Sequence, residues 1–318
     1  MKKGEKKGSG KPSAKNRVAQ TLRRRKLTKA QQKRQAKKEA RQRSKLPNSF
    51  RLLGQVWQTF SKHWKPLGSI VLVYLILNII FASGLSNISS SFSTIKASLQ
   101  ASHHFWQALS GFGSLLGTAG TGTSQSGSVL QTVLFVLISL VIIWALRQLL
   151  AGQSIKIKQS FYQSMAPLVP FLLIILVIIL ELLPVTLGTA GLSLVLTTVF
   201  GSSTTLTVVL LVFFALFGAW SLYMVSGSIF ALYIVTLPNM QPRPALRAAK
   251  NLVRFRRWAV IRRLLFLPVS FLLVMGTVII PLILFVHVLV VPVFYVLSML
   301  ALLFIHTYLY SLYRSLLE

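Results

Sequence analysis

The residue types that most often carry chemistry are scarce in this sequence. Its 318 residues include no Cys, five His and four Asp+Glu. A disulfide, a thiolate metal site and a cysteine nucleophile are therefore excluded. Paired-carboxylate catalysis and a carboxylate-rich metal cage need more acidic residues than this chain provides. We predict no catalytic residue, no metal site and no cofactor, and we do not expect an enzyme.

One carboxylate, that of Glu181, lies inside an apolar run. It comes about 14 residues into that run, which places it about 21 Å from the inner membrane face. An ionisable residue within a membrane span is a functional hypothesis by default, so a proton-coupled step or an ion site could use Glu181. Nearby Pro184 could expose backbone carbonyls to such a site. The alternatives are a protonated carboxyl, a position at the outer interface, or a hydrogen bond to a Ser, Thr or His of a neighbouring span.

The histidines favour packing over chemistry. His287 and His306 fall in or near the last two apolar runs, and neither has a carboxylate within sequence reach. A histidine without such a partner is more often a satisfied packing residue than part of a proton relay. His103 and His104 are adjacent in a polar stretch, but a metal site needs more ligands than these two.

Four basic residues have the spacing of one helical face. Arg247, Lys250, Arg254 and Arg257 are separated by three, four and three residues, which predicts a basic stripe on a single helix. Such a stripe can hold anionic lipid headgroups, at about 1 kcal/mol per charge near the inner leaflet. The alternative is that these residues only determine topology. The opposite face is apolar and comprises Leu246, Ala249, Leu252 and Val253.

The composition indicates the kind of scaffold that must position these residues. Hydrophobic residues make up 53% of the chain and charged residues 12%. The mean hydropathy is +0.66. A soluble domain of this size carries about a quarter charged residues. These values exclude an ordinary soluble enzyme and a fully disordered chain, and they predict a multi-span membrane protein.

Six apolar runs are each long enough to cross a hydrocarbon core of about 30 Å as a helix. The last two come from one apolar block, which we divide near 285–287, with Pro281 and Pro292 as competing break points. The predicted fold is therefore all-α, a polytopic membrane helical bundle of about six transmembrane helices. The predicted spans cover about 66–85, 129–150, 167–188, 206–237, 262–284 and 288–312.

The basic residues are distributed unevenly and predict the topology. Residues 1–65 hold 22 of the 35 Lys+Arg. Residues 1–47 contain no apolar run, so we predict a disordered basic cytoplasmic arm followed by a six-span domain over 48–318. With the amino terminus inside, 34 of the 35 basic residues lie on the inner side, and Lys96 is the exception. The positive-inside rule then places both termini in the cytoplasm.

Short amphipathic segments precede three of the predicted spans. Read as a helix, residues 51–65 carry Trp on an apolar face and Lys on a polar face, which suits an interfacial helix in the headgroup layer. Similar segments, 155–165 and 246–258, precede the third and fifth spans. They predict a threefold repeat of a surface helix plus a transmembrane hairpin. The alternative is that any inner loop of a membrane protein is basic and amphipathic. The apolar face of the first segment comprises Leu52, Leu53, Val56, Trp57, Phe60 and Trp64.

Short sequence motifs before the first, third and fifth spans are similar to those of a known group of membrane proteins. They are FSKHWKPL at 60–67, QSF to PL within 159–168, YIVTLP at 233–238, PALRAA at 244–249, and Trp258. With the spacing of the spans, residues 50–315 resemble uncharacterised bacterial six-span membrane proteins of the YciC-like or glycerophosphodiester-phosphodiesterase membrane-domain type. The chain departs from that pattern in two places: no acidic residue precedes PALRAA, and LLPV at 182–185 replaces the usual Pro-Gly pair. The resemblance implies a membrane domain and no phosphodiesterase activity, which in that family looks to reside in a fused soluble domain.

These features predict an integral protein of the bacterial cytoplasmic (inner) membrane. We expect a structural or lipid-interacting role in which basic cytoplasmic surfaces contact anionic lipids. The first alternative is a transporter or permease component, in which Glu181 would line a path. The second is a membrane tether whose arm, 1–47, binds RNA or the ribosome through phosphate contacts.

Overall fold

Helices are the only regular secondary structure in the residues that the computed structural model describes, which are 47–82, 125–153, 157–200, 204–286 and 289–317. This confirms the all-α prediction. The predictions for the basic arm and for His103, His104 and His287 lie outside the described residues.

The described residues form ten helices, some of them short. Four of them have 4 to 14 residues, and the other six have 19 to 33. In chain order they are α1 (Ser49–Lys62), α2 (Trp64–Ala82), α3 (Gln125–Leu150), α4 (Ile157–Ser164), α5 (Leu168–Phe200), α6 (Thr204–Ser228), α7 (Ala231–Ile234), α8 (Pro242–Val253), α9 (Arg257–Phe285) and α10 (Val290–Leu317).

Within the part of the chain that the structure describes, five helical segments are long and apolar enough to cross a membrane. They lie in α3, α5, α6 with α7, α9 and α10. The pair α1 and α2, bent by 87° at its break, provides a sixth when the two helices count as one span. The chain is therefore a multi-pass helical membrane protein, because apolar helices satisfy their own backbone hydrogen bonds in hydrocarbon.

The third span is longer than predicted. We expected it to end at 188, but α5 continues as one helix to Phe200 with Pro184 inside it. The residues after 188 are still largely apolar. In an apolar environment the helix keeps every backbone hydrogen bond that Pro184 does not directly remove, so one proline does not end it.

The fourth span is shorter than predicted as a continuous helix. We expected helix over 206–237, but α6 ends at Ser228 and the chain turns at 229–230 before the four-residue α7. Phe230 and Tyr233 are buried in the protein core. The hydropathy pattern missed this boundary because residues buried in protein and residues facing lipid are equally apolar.

The last apolar block forms two helices. Helix α9 ends at Phe285 and α10 begins at Val290, so the break lies where the sequence was divided. Pro281 lies within α9 and Pro292 lies within α10, so neither of the two competing prolines is the break point.

Three helices, α2, α3 and α10, share one buried core, and α9 packs against α10 beside it. About half of the residues in the apolar membrane-spanning stretches of α3 and α10 are buried, 50% and 56% respectively. A second core lies around α7 and takes side chains from α1, α3, α5, α8, α9 and α10. The largest fully buried side chains include Phe171, Phe230, Phe294 and Tyr308.

Helices α5 and α6 form a hairpin that packs mainly on itself. Only 17% of the residues in the apolar membrane-spanning stretch of α5 are buried, and only 11% of those in α6. The close approach of the two helices occurs at Gly188, where an added Cβ would lie 3.1 to 3.3 Å from three ring atoms of Phe217. Most of the apolar surface of this hairpin is therefore exposed in the single chain.

Replacing Gly188 tests this packing. Gly188→Leu forces the Phe217 ring to move, and overpacking of this kind costs about 1–2 kcal/mol of unfolding free energy. Gly191→Leu is the matched control, because a Cβ there meets no atom within 4 Å. Thermal unfolding in detergent should show a lower Tm for Gly188→Leu alone. Equal Tm values for the two variants would contradict the packing.

The apolar face predicted for α1 is divided between two environments. Leu52 and Val56 are fully buried in the core around α7, whereas Trp57 is 73% exposed. Residues 52 and 56 lie on one line along the helix, and residue 57 is rotated by about 100° from residue 56. Helix α1 therefore packs on the bundle with one edge and presents Trp57 outward with the next.

The segment before α1 is attached to the start of α9. The Arg263 Nε donates a hydrogen bond to the Pro47 carbonyl oxygen over 2.9 Å. The Phe50 ring meets Phe266 edge-on, with centroids 5.3 Å apart. The Tyr308 hydroxyl of α10 donates to the Arg263 carbonyl oxygen. These contacts join α1, α9 and α10 at one end of the bundle.

Helices α4 and α8 precede α5 and α9, as α1 precedes α2. Helix α8 buries Ala245, Ala249 and Val253, which recur every four residues on one face. It packs against α5, α6 and α7. The positions of the three short helices match the predicted surface segments, and the threefold repeat stays a prediction.

Candidate functional site

Glu181 lies buried where three helices meet. Its residue is 5% exposed. The Ser228 hydroxyl, at the end of α6, donates to Glu181 Oε1 over 2.6 Å. The Lys250 Nζ of α8 lies 3.8 Å from the same oxygen. The sequence left open whether Glu181 forms a hydrogen bond with a Ser, Thr or His of another span. In the structure its partner is Ser228, and a cation that the sequence did not predict there, Lys250, lies nearby.

The second carboxylate oxygen has a different environment. Glu181 Oε2 is buried and has no hydrogen-bond partner among the described residues. A buried oxygen of this kind loses hydration without replacement, which is unfavourable. The charge of Lys250 and the Ser228 hydroxyl offset that loss through the other oxygen only.

Lys250 is the solvent-facing member of the pair. Its side chain is 52% exposed, so solvent screens the attraction from the outer side. Glu181 is the only acidic residue within the described residues, whereas 243–263 alone contains eight basic ones. One carboxylate therefore faces a strongly positive segment, and the segment keeps a large net positive charge.

Gly227 allows two basic side chains to approach α6. A Cβ at this position would lie 3.5 Å from Lys250 Cγ and 3.8 Å from Arg257 Nη2. Those distances are ordinary van der Waals contacts for a methyl group. With no side chain at 227, the Lys250 stem and the Arg257 guanidinium lie beside the last turn of α6.

The predicted basic stripe does not lie on one helix. Helix α8 ends at Val253, residues 254–256 form a turn, and Arg257 is the first residue of α9. Helix α8 packs mainly on α6 and α7, whereas α9 packs mainly on α6 and α10, and the turn separates the two helices. The single-helix prediction was wrong for Arg257, and Arg254 lies in the turn.

The four basic residues are close in sequence, but they lie in two different environments. Arg247, Lys250 and Arg254 are exposed. Arg257 is partly buried, and its guanidinium carbon lies 4.4 Å from the centroid of the Tyr223 ring. A cation over an aromatic face is held there by the ring quadrupole. Arg257 is thus positioned by α6, and the other three face outward.

A second polar network joins α3 to the chain after α7. Arg147 Nη2 donates to the Thr236 carbonyl oxygen over 2.7 Å and also contacts the Thr236 hydroxyl. Close by in the chain, the Tyr233 hydroxyl lies 3.2 Å from Nδ1 of buried His306. The rings of Tyr310 and Tyr313 pack against Tyr233 with centroids 5.9 and 6.0 Å away.

Sequence reasoning missed this network. It counted Arg147 only as an inner charge and placed Tyr233 and Thr236 inside a continuous span. The available signal was the pair Tyr310 and Tyr313, three residues apart and therefore on one face of a helix. His306 has a hydroxyl partner here, as a packing histidine requires.

Aromatic side chains are exposed beside basic ones in all three short amphipathic regions. Trp57 and Trp64 lie on α1 and at the start of α2, Tyr162 lies on α4, and Trp258 lies in the first turn of α9. Each has an exposed Lys or Arg nearby in the chain. Amphipathic rings beside cations are typical of the membrane–water interface. The basic neighbours include Arg51, Lys62, Lys65, Lys158, Arg254 and Arg262.

Comparison with known proteins gives no family for this chain. No protein-family model matches it, and no match was found among curated proteins or among solved structures. The resemblance to bacterial six-span membrane domains therefore stays a prediction, and the chain is identified by its architecture alone, as a multi-pass helical membrane protein.

Proposed function

We propose that this protein is a non-enzymatic membrane protein whose basic cytoplasmic surface binds anionic lipid headgroups. One observation carries the proposal: each short amphipathic region exposes an aromatic ring next to Lys or Arg. The rings suit the interfacial layer, and the cations suit the phosphates of that layer. The role is structural or lipid-interacting.

The charge distribution supports an orientation. In the proposed topology the protein lies in the bacterial cytoplasmic membrane with both termini cytoplasmic. The basic segment 243–263 and the short helices then lie at the inner leaflet, where anionic lipids attract Lys and Arg. The described segments that could span the membrane contain one acidic residue, Glu181, to oppose that attraction.

The proposal predicts a measurable lipid preference. About 1 kcal/mol per cation near the leaflet corresponds to about fivefold enrichment of anionic over zwitterionic lipid around the protein. We expect spin-labelled phosphatidylglycerol to be enriched about fivefold over spin-labelled phosphatidylcholine in reconstituted vesicles at low salt. Replacing Arg247, Lys250, Arg254 and Arg257 together with Gln should remove most of that enrichment.

A charge-preserving variant is the control. Changing the three arginines of this set, Arg247, Arg254 and Arg257, to Lys keeps the net charge and should keep the enrichment. Absence of any preference for phosphatidylglycerol in the wild-type chain would contradict the lipid proposal. Enrichment that survives the four Gln substitutions would show that these residues do not carry it.

A transporter or permease component is the second candidate. The observation in its favour is the buried Oε2 of Glu181, which has no hydrogen-bond partner among the described residues of the protein. Intramembrane carboxylates often mark ion or proton paths. Glu181→Gln would then abolish uptake or export, measured in vesicles loaded with a panel of ions. Unchanged fluxes in that variant would count against this candidate.

The tether alternative depends on residues 1–47, of which only Pro47 is described. Co-purification of RNA with the full chain, lost on deletion of 1–46, would favour it. Loss of that RNA with rising salt is expected for phosphate contacts.

A further inference from the structure

We propose that Lys250 and Arg257 hold the phosphate of one anionic phospholipid at the end of α6, and that its acyl chains lie along the exposed face of this helix. The proposal rests on the lipid-binding function above. It assigns one site within the charged surface, with a headgroup-binding part (the head) and an acyl-chain-binding part (the tail).

The head of the site is the point where two cations approach α6. Lys250 comes from α8 and Arg257 from α9, and Lys250 Cγ and Arg257 Nη2 lie 3.5 and 3.8 Å from the position that a Cβ at residue 227 would take. No side chain separates them there, because residue 227 is glycine. Two basic side chains from different helices beside one residue of a third helix match a single phosphate better than scattered surface charges do.

Both cations are held in position before any lipid arrives. The guanidinium of Arg257 lies over the Tyr223 ring, and Lys250 is attracted to Glu181 on its buried side. Positioned groups lose less conformational freedom on binding. Half of the Lys250 side chain is exposed and remains available to a ligand.

The carboxylate of Glu181 opposes an anion but does not cancel the site. It carries one negative charge, whereas Lys250 and Arg257 carry two positive charges. Its Oε1 also accepts the hydrogen bond of Ser228. The site keeps a net positive charge, and exposed Arg254 adds to it one turn beyond Lys250.

The tail of the site is an apolar stripe on α6. Tyr223, Trp220, Leu216 and Phe213 precede Gly227 at intervals of four, three, four and three residues, so all five share one face. All four side chains are exposed. The stripe is about 21 Å long at 1.5 Å per residue. One leaflet of a hydrocarbon core is about 15 Å thick, so the stripe can accompany an acyl chain through it.

The order of the residues along α6 fits the orientation of an inner-leaflet lipid. The cations lie at one end, Tyr223 and Trp220 follow, and purely apolar side chains come after them. Aromatic rings favour the level between headgroups and acyl chains. A zwitterionic headgroup would place its own cation beside Lys250 and Arg257, so the site prefers a phospholipid with a net negative charge.

Trp220 allows this site to be tested directly. Brominated acyl chains quench a tryptophan that they contact. We take the quenching of Trp220 as the difference between each protein and its Trp220→Phe counterpart, in vesicles containing brominated phosphatidylglycerol or brominated phosphatidylcholine. The wild-type chain should show about tenfold tighter association of the anionic lipid than of the zwitterionic lipid at Trp220, and Glu181→Gln should show at least that preference.

The decisive comparison uses the Glu181→Gln background, so that loss of Lys250 leaves no buried carboxylate unpaired. Adding Lys250→Gln and Arg257→Gln should bring the two lipids to equal affinity at Trp220. Adding Arg51→Gln and Lys62→Gln removes the same charge from exposed positions of α1 and should leave the tenfold preference intact.

The outcomes separate this site from the general surface. Equal loss of preference in both double variants would overturn the site while leaving the charged surface in place. No preference for phosphatidylglycerol in any variant would overturn both. Failure of both lipids to quench Trp220 in a chain that sediments as a dimer would mean that a second copy covers the stripe, and the site would again be wrong.

Discussion

Arg147→Leu is expected to lower the free energy of unfolding by about 3 kcal/mol, because hydrogen bonds from a charged donor contribute about 1.5–3 kcal/mol each. Arg147 contacts both the carbonyl oxygen and the hydroxyl of Thr236, 89 residues away. Leucine would leave the buried carbonyl of Thr236 without this donor. The loss of that bond adds to the loss of the contact between α3 and the chain after α7.

The structural effect should concentrate at α7. This short helix buries Ala231, Tyr233 and Ile234, and Thr236 follows one residue after its C-cap. With Arg147 replaced, amide hydrogen exchange over 231–236 should accelerate before that of α3 or α10. Denaturant titration in detergent measures the global change, and exchange with mass detection measures the local one.

Two further variants provide reference values for the loss of stability expected in Arg147→Leu. Thr236→Val removes the hydroxyl and keeps the carbonyl, so it should cost about 1 kcal/mol. Arg147→Lys keeps one charged donor and should fall between Thr236→Val and Arg147→Leu. If Arg147→Leu unfolds at the same denaturant concentration as the wild-type chain, the contact contributes nothing and the prediction is wrong.

The second large effect is an asymmetry between Lys250 and Glu181. Lys250→Met should lower the free energy of unfolding by about 2 kcal/mol, because it leaves a buried carboxylate without its cation. Glu181→Met should change it by less than about 1 kcal/mol. It removes the buried charge, leaves Lys250 half-exposed, and leaves Ser228 a hydroxyl that can bond to its own helix.

The double variant completes the cycle. Lys250→Met with Glu181→Met should be about as stable as Glu181→Met alone, because the lysine has nothing left to neutralise. Unfolding midpoints of the four proteins in one detergent measure this. Equal losses in the two single variants, with full additivity in the double variant, would show that the two residues do not interact.

Loss of Glu181 is expected to have little effect on stability but to strengthen the binding of anionic lipid. Removing Glu181 takes a negative charge from the neighbourhood of Lys250 and Arg257, so anion binding at Gly227 should strengthen in Glu181→Gln. A variant with little effect on stability and a gain in anionic lipid selectivity would distinguish the lipid site from a purely structural ion pair.

Much of the architecture could be predicted from the sequence, for one physical reason. A helix in hydrocarbon needs about 20 apolar residues, and few other solutions satisfy its backbone. That requirement allowed the spans to be predicted from the sequence and the last apolar block to be divided near 285–287. The same reasoning singled out Glu181, because a carboxylate among apolar residues is costly. The short helices before the first, third and fifth spans followed from amphipathic periodicity.

Only the tertiary structure decided which polar groups meet. Ser228 and Lys250 lie 47 and 69 residues after Glu181, and neither pairing leaves a periodic signal in the sequence. The break between α8 and α9 and the end of α6 depend on which neighbours each helix packs against. Periodicity shows that a residue is apolar, but lipid and protein interior are equally apolar. The partner of each helix face is therefore set by packing between segments far apart in the chain.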